Sequence, residues 1–270
     1  MTTTSTDLLT AEAPGVRITT CSKGANLMTW TTDGVERLWV SSEAECGASG
    51  AIRGGVPVLF PQFGTFGPLV KHGFARTAPW QPVPPGDEPG RATVALALAD
   101  SPATREIWPH AFAARLDVSA SPSELVIVLS ITNRDPDAVR FTGGLHTYFA
   151  VADPDAWVGG LSEGRAWDGA DTADPAFSLP LGDRVRALEP QDLVISGVTG
   201  PVTLNDAELG RLTVTGEGFA NRIVWNPGDT LADVPPGEES RFVCIEPTVV
   251  TPVELPAGAT WTGVQRVVVG

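Results

Sequence analysis

An all-β sandwich or barrel is the fold class predicted by three features of this 270-residue chain. Apolar residues recur with a period of two over short runs. Turn clusters rich in glycine and proline separate the runs. No window sustains the i, i+3, i+4, i+7 apolar spacing of an amphipathic helix, and 24 prolines with 29 glycines interrupt most candidates.

Taken in order, residues 1–12 read as a flexible N-terminus, and 13–270 as one domain. Strands are expected at 17–20 and 36–40. Residues 92–98, Ala-Thr-Val-Ala-Leu-Ala-Leu, alternate, as do 115–119. The run 124–133, Glu-Leu-Val-Ile-Val-Leu-Ser-Ile-Thr-Asn, predicts a strand buried in part on both faces. Further strands are expected at 140–150, 193–195, 202–204, 211–215, 221–225, 240–246 and 260–269. Pro84-Pro85-Gly86-Asp87, Asn133-Arg134-Asp135-Pro136-Asp137 and Pro235-Pro236-Gly237-Glu238 are the turns between some of them. One short helical turn is predicted near 102–109.

The net charge of −14 opposes nucleic acid and anionic membrane surfaces as partners. It also repels an anionic small molecule unless cations gather locally. Only 18 cations are present, and Lys23 and Lys71 are the two lysines. Cys21, Cys46 and Cys244 show neither a CxxC pair nor zinc spacing, so free thiols in a reducing cytoplasm are expected. The N-terminus lacks the pattern of a signal peptide, and no apolar run reaches the ~18–20 residues of a membrane span.

Two of the three histidines sit in the most distinctive local sequences. His72 lies in Lys71-His72-Gly73-Phe74-Ala75-Arg76, downstream of Arg53-Gly54-Gly55-Val56-Pro57 and Phe60-Pro61-Gln62-Phe63-Gly64. Arg53, Lys71, His72 and Arg76 concentrate positive charge in an acidic chain. They suit a phosphate, or the arginines pair with surface carboxylates. His146 lies in Leu145-His146-Thr147-Tyr148-Phe149, beside the only tyrosine. In a strand His146 and Tyr148 share a face, as a hydrogen-bonding wall or as a satisfied structural pair. Glu246 ends the apolar run Phe242-Val243-Cys244-Ile245. Burial there makes it a stronger base, whereas a solvent-facing strand end makes it unremarkable in chemistry. Trp225 and Asn226 precede a turn, where the indole offers either an apolar face for sugar C–H groups or simply core. His110 has no such surroundings and reads as structural.

Together these motifs, with Trp225-Asn226-Pro227 and Cys244-Ile245-Glu246, resemble the aldose 1-epimerase superfamily, and within it the glucose-6-phosphate 1-epimerase branch. The resemblance spans roughly residues 50–260. It implies a galactose-mutarotase-like β-sandwich, a supersandwich of mostly antiparallel strands, and interconversion of the α and β anomers of a hexose 6-phosphate. By the same resemblance Glu246 is the general base, His146 the general acid, and His72 orients the ring. Arg53, Arg76 and Lys71 hold the phosphate. Gln62, Trp225, Asn226 and Asp168, in Arg165-Ala166-Trp167-Asp168, complete the substrate-binding set. The segment 64–68 forms a flexible lip. Ring opening needs one base and one acid on opposite sides of C1–O5, so no cofactor or metal is expected. The partner is a small phosphosugar, and a monomer is expected. The alternatives are an epimerase for unphosphorylated aldoses and a non-catalytic sugar-phosphate-binding protein on the same fold.

Overall fold

The computed structural model describes residues 7–162, 164–169 and 182–270. Among them the chain is all β apart from one short α-helix and three 3-10 turns. The strands form a nine-stranded, a seven-stranded and a four-stranded sheet, and every strand pairing is antiparallel.

Alternation explains the largest sheet. In the strand Glu124–Asn133 the side chains of Leu125, Ile127, Leu129 and Ile131 are buried, while Val126 and Val128 are half-buried on the other face. A period of two in the sequence has become one apolar face. This strand pairs along its length with Phe112–Ser121 on one side and Thr260–Val269 on the other. One core takes Ile18 and Trp30 from the small sheet, Leu116 and Leu129 from the large sheet, and Phe149 and Ile245 from the seven-stranded sheet. The helical turn is Pro102–Ile107. Its start is fixed by Pro102 and by Ser101 and Thr104, whose side chains each accept the other's backbone N–H.

The small sheet was largely hidden in the sequence. Leu8–Ala13, all but its last residue in the segment read as a tail, is a strand paired with Val16–Cys21. Residues 1–6 lie outside the described residues. The expected strand at 36–40 is shorter, ending at Glu36. The Glu36 carboxylate accepts the backbone N–H groups of Trp30, Arg37 and Leu38 where the strand ends. Isolated bridges then carry the chain past Leu38 and Val40.

The free-thiol expectation is overturned at two positions. Cys21 and Cys46 form a disulfide, with Cα atoms 5.7 Å apart. Cys46 lies on the excursion between Ser41 and Arg53, whose ends are joined by the Ser41 N–H donating to the Arg53 carbonyl. That closure folds the excursion back onto the end of Val16–Cys21, a proximity invisible in a spacing of 25 residues. Only Cys244 is free among the described residues. The thiol argument for a reducing compartment therefore falls. No helix among the described residues is long and apolar enough to cross a membrane.

Candidate active site

The seven-stranded sheet aligns its functional side chains by register. Asp192 lies opposite Trp225, Trp225 opposite Cys244, and Cys244 opposite Tyr148. In the next row Val194 lies opposite Ile223, and Ile223 opposite Glu246. Residues two apart on each strand share a face, so Glu246 rises beside Cys244 and Ile223 beside Trp225.

His146 joins the same face at a break in its strand. The expected strand 140–150 is two strands, Val139–Leu145 and Tyr148–Ala150. At the break the His146 N–H donates to the Pro57 carbonyl and the Tyr148 N–H to Gly55. Behind it, Thr147 donates to Gln265 at 2.7 Å in the core. His146 and Tyr148 do share a face: their rings stack, with centroids 4.7 Å apart and planes 8° apart.

The irregular segment 52–76 closes the site. Gly54 and Gly55 have positive φ, and a Cβ on either would lie 2.5 Å from Trp39 O or 2.4 Å from Leu27 O. Only glycine lets Arg53 leave the adjoining backbones so tightly. Gln62 is buried and does not face the cavity. Its amide donates to the Gly64 and Leu69 carbonyls and accepts from the Leu69 N–H, pinning the lip. His72 accepts the Gly64 N–H on Nδ1 at 3.1 Å, which leaves its proton on Nε2.

These elements enclose a cavity of about 360 Å³ lined by Arg53, Lys71, His72, Arg76, His146, Trp225 and Glu246, all seven from the expected set. Gly64, Thr65 and Phe66 of the lip line it as well. The other three expected residues do not. Asn226 is buried, donating to the Glu239 and Phe242 carbonyls and accepting the Gly228 N–H. Asp168 is exposed on its strand, opposite Leu193 and one residue before Gly169, which does line the cavity. Gln62 belongs to the lip. Sequence reading missed Phe63 and Asp192 in the wall. Asp192 is a carboxylate in a strand whose predicted start, at residue 193, fell two residues after its actual start at Gln191. His110 lies apart, against Trp108 and hydrogen-bonded with Asp135.

The electrostatics of the cavity are set by burial. His146 Nδ1 lies 3.4 Å from Glu246 Oε1, and among the described residues neither His146 Nδ1 nor Glu246 Oε2 has a hydrogen-bond partner. Burial, with Asp192 nearby, pushes the Glu246 carboxyl well above the usual range. Burial and the charges of His72, Arg53 and Arg76 hold His146 well below it. His72 falls to about 3, through burial and then Arg76, Lys71 and Arg53. Both shifts favour the neutral forms, so the pair holds one titratable proton, which rests on Glu246. His146, Cys244 and Glu246 present ligand atoms within 4.8 Å of one another. The three cations lining the same cavity oppose a metal ion there.

Residues 7–164 match the family model described as aldose 1-epimerase. The chain belongs to the aldose 1-epimerase family. It is an isomerase of that family. A protein of Cenchrus ciliaris named "Putative glucose-6-phosphate 1-epimerase" is 34% identical over 262 residues, covering 89% of this chain and 77% of its own. An Escherichia coli protein of the same name is 31% identical, covering 89% of this chain and 82% of its own. A crystal structure of a "putative mutarotase" from Salmonella typhimurium superposes with a TM-score of 0.86 at 27% identity, over 97% of this epimerase-family chain and 90% of that one. A galactose mutarotase-like protein from Clostridium acetobutylicum, 15% identical, shares the fold with a TM-score of 0.79 over 97% and 95% of the two chains.

Proposed function

We propose that this epimerase interconverts the anomers of a hexose 6-phosphate by acid–base ring opening. One observation carries the substrate: Arg53, Lys71 and Arg76 converge on the cavity that holds the His146–Glu246 pair, in a chain of net charge −14. Three cations collected at one cavity of an acidic chain match a dianion.

Once the pair's proton passes from Glu246 to His146, Glu246 takes the C1-hydroxyl proton while His146 gives its proton to the ring oxygen. The C1–O5 bond breaks and a free aldehyde forms. After rotation about C1–C2, His146 recovers the proton from the C5 hydroxyl and Glu246 returns one to the new C1 oxygen. The sequence reading set acid and base on opposite sides of the bond. Here they are neighbours, which suits two oxygens carried on one carbon. Each transfer group supplies about 10²–10⁴-fold.

His72, held neutral, donates from Nε2 towards the ring. Trp225 presents its indole to the sugar C–H face, and Asp192 accepts from hydroxyls. Asp168 acts through Asp192, whose carboxyl it pushes up after burial has done so. Gln62 and Asn226 serve binding indirectly, by holding the lip and the turn after Trp225. All these groups come from one chain, which fits a monomer.

NMR exchange spectroscopy on glucose 6-phosphate and on glucose tests the reading. Faster exchange of the phosphosugar is expected. Enhanced exchange on glucose alone would reassign the substrate, and ligand binding without exchange above buffer would make the protein a binding module.

A further inference from the structure

The two arginines of the cation cluster are held differently. Arg53 Nη1 donates to the Tyr148 hydroxyl at 2.8 Å. Its remaining fork, Nε and Nη2, is taken by a single oxygen of Asp233 at 3.1 and 2.6 Å. Burial lowers the Arg53 pKa, but Tyr148 and Asp233 outweigh it and hold the guanidinium firmly charged. Arg76 has no carboxylate partner among the described residues, and burial followed by the charge of Arg53 lowers its pKa. Lys71 is likewise outside every ion pair of the described residues and lines the cavity.

Asp233 is well placed to yield. Its side chain is 61% exposed, against 23% for Arg53, so it can swing into water at little cost. Its backbone stays put, because Leu231 lines the cavity and Val234 is buried against Trp39, Tyr148 and Phe242. Asp233 itself lines a separate hollow, to which Arg53, Glu43 and Glu45 also contribute. Arg53 thus stands between the sugar cavity and an exposed acid.

We propose that Asp233 is a specificity-determining residue: its carboxylate occupies the Arg53 fork in the empty site and is displaced only by a dianion such as a phosphate. This rests on the phosphosugar reading and deepens it. A sugar carboxylate replacing Asp233 exchanges one single charge for another at the fork and brings no second charge for Arg76 and Lys71. A phosphate dianion brings a second charge, which Arg76 and Lys71 are free to meet. The acid therefore selects on charge while keeping Arg53 oriented between turnovers.

Calorimetric titration with inorganic phosphate tests the inference without turnover. Asp233→Asn removes the charge and keeps the shape; Asp233→Ala removes both. Each is expected to bind phosphate about three- to tenfold more tightly than the wild type. In an Arg53→Gln background, Asp233→Asn should change the affinity by less than about twofold, because the fork is gone. Unchanged or weaker phosphate binding in both single variants would overturn the proposal and leave Asp233 as a support for Arg53. So would phosphate binding to none of the proteins. The phosphosugar reading is judged separately, by wild-type exchange on glucose 6-phosphate against glucose.

Discussion

Glu246 and His146 are informative because one cause, burial, pushes each toward its neutral form. Burial disfavours a lone carboxylate and a lone imidazolium alike, yet the pair retains a single proton. Exchange is therefore expected to be bell-shaped in pH. The pair loses its shared proton as pH rises through the raised Glu246 value and gains a second as pH falls through the depressed His146 value. Glu246→Gln should abolish exchange and leave ligand binding largely intact. The same substitution should stabilise the fold in alkali. A folded pKa raised above the unfolded value contributes stability below the unfolded pKa and loses it as pH rises through the folded one. Melting of the variant and the wild type should accordingly converge near pH 4 and differ by a few degrees at pH 8, with the variant higher. Arg76→Ala should raise KM for the phosphosugar by one to two orders of magnitude, the scale of about 1.5–3 kcal/mol for a hydrogen bond to a charged group. Exchange of the unphosphorylated sugar should change far less; equal losses on both would make Arg76 structural.

Among the elements, the break after Leu145 and the segment 52–76 do most to build the cavity. A continuous strand from Val139 to Ala150 would still place His146 and Tyr148 on one face, by alternation alone. The break adds the bonds to Pro57 and Gly55, which bring the Arg53 segment alongside. The neighbouring excursion between Ser41 and Arg53 is tied down by the Cys21–Cys46 disulfide. Closing a loop of this length stabilises a fold by roughly 3 kcal/mol. Urea unfolding of Cys46→Ser should show a loss of that order, measured beside the wild type with and without reductant. Reduction should destabilise the wild type and leave the variant where it is. Were the reduced and oxidised wild types equally stable, the bridge would contribute nothing to the fold.

For the whole molecule, what could be read in advance follows the range of the interaction. Alternation over 92–98, 124–133 and 260–269 is local chemistry, and it appears as long paired strands. The small sheet was harder to see. Leu8–Ala13 carries an alternating half-buried pattern too mild to separate from a polar tail, and Asn26–Thr32 mixes threonines with Leu27 and Trp30. The paired cysteines were missed because closure of the excursion, not spacing, brings them together. Seven of ten expected site residues line one cavity, since their motifs carry unusual residue types in apolar surroundings. Gln62 and Asn226 belong to the same motifs, but their amides are spent on backbone groups, and adjacency in sequence could not distinguish the two uses. Asp192 and Asp233 stand in ordinary strand and loop text and became visible only through what they face.

The sequence by itself determined the all-β class, the position of most strands, and the family. The class and the strands follow from periodicity and residue type, which act over a few positions. The family, and with it the expectation that Glu246, His146 and the three cations share one site, came from the resemblance that the motifs carry together. Only the tertiary structure decided that Glu246 and His146 lie side by side and buried, that Asp192 joins the wall, that two cysteines are bridged, and that among the described residues Arg53 is held by an exposed acid while Arg76 is not. Each of these depends on burial and on distances between segments far apart in the chain, and both quantities exist only once the sheets have packed.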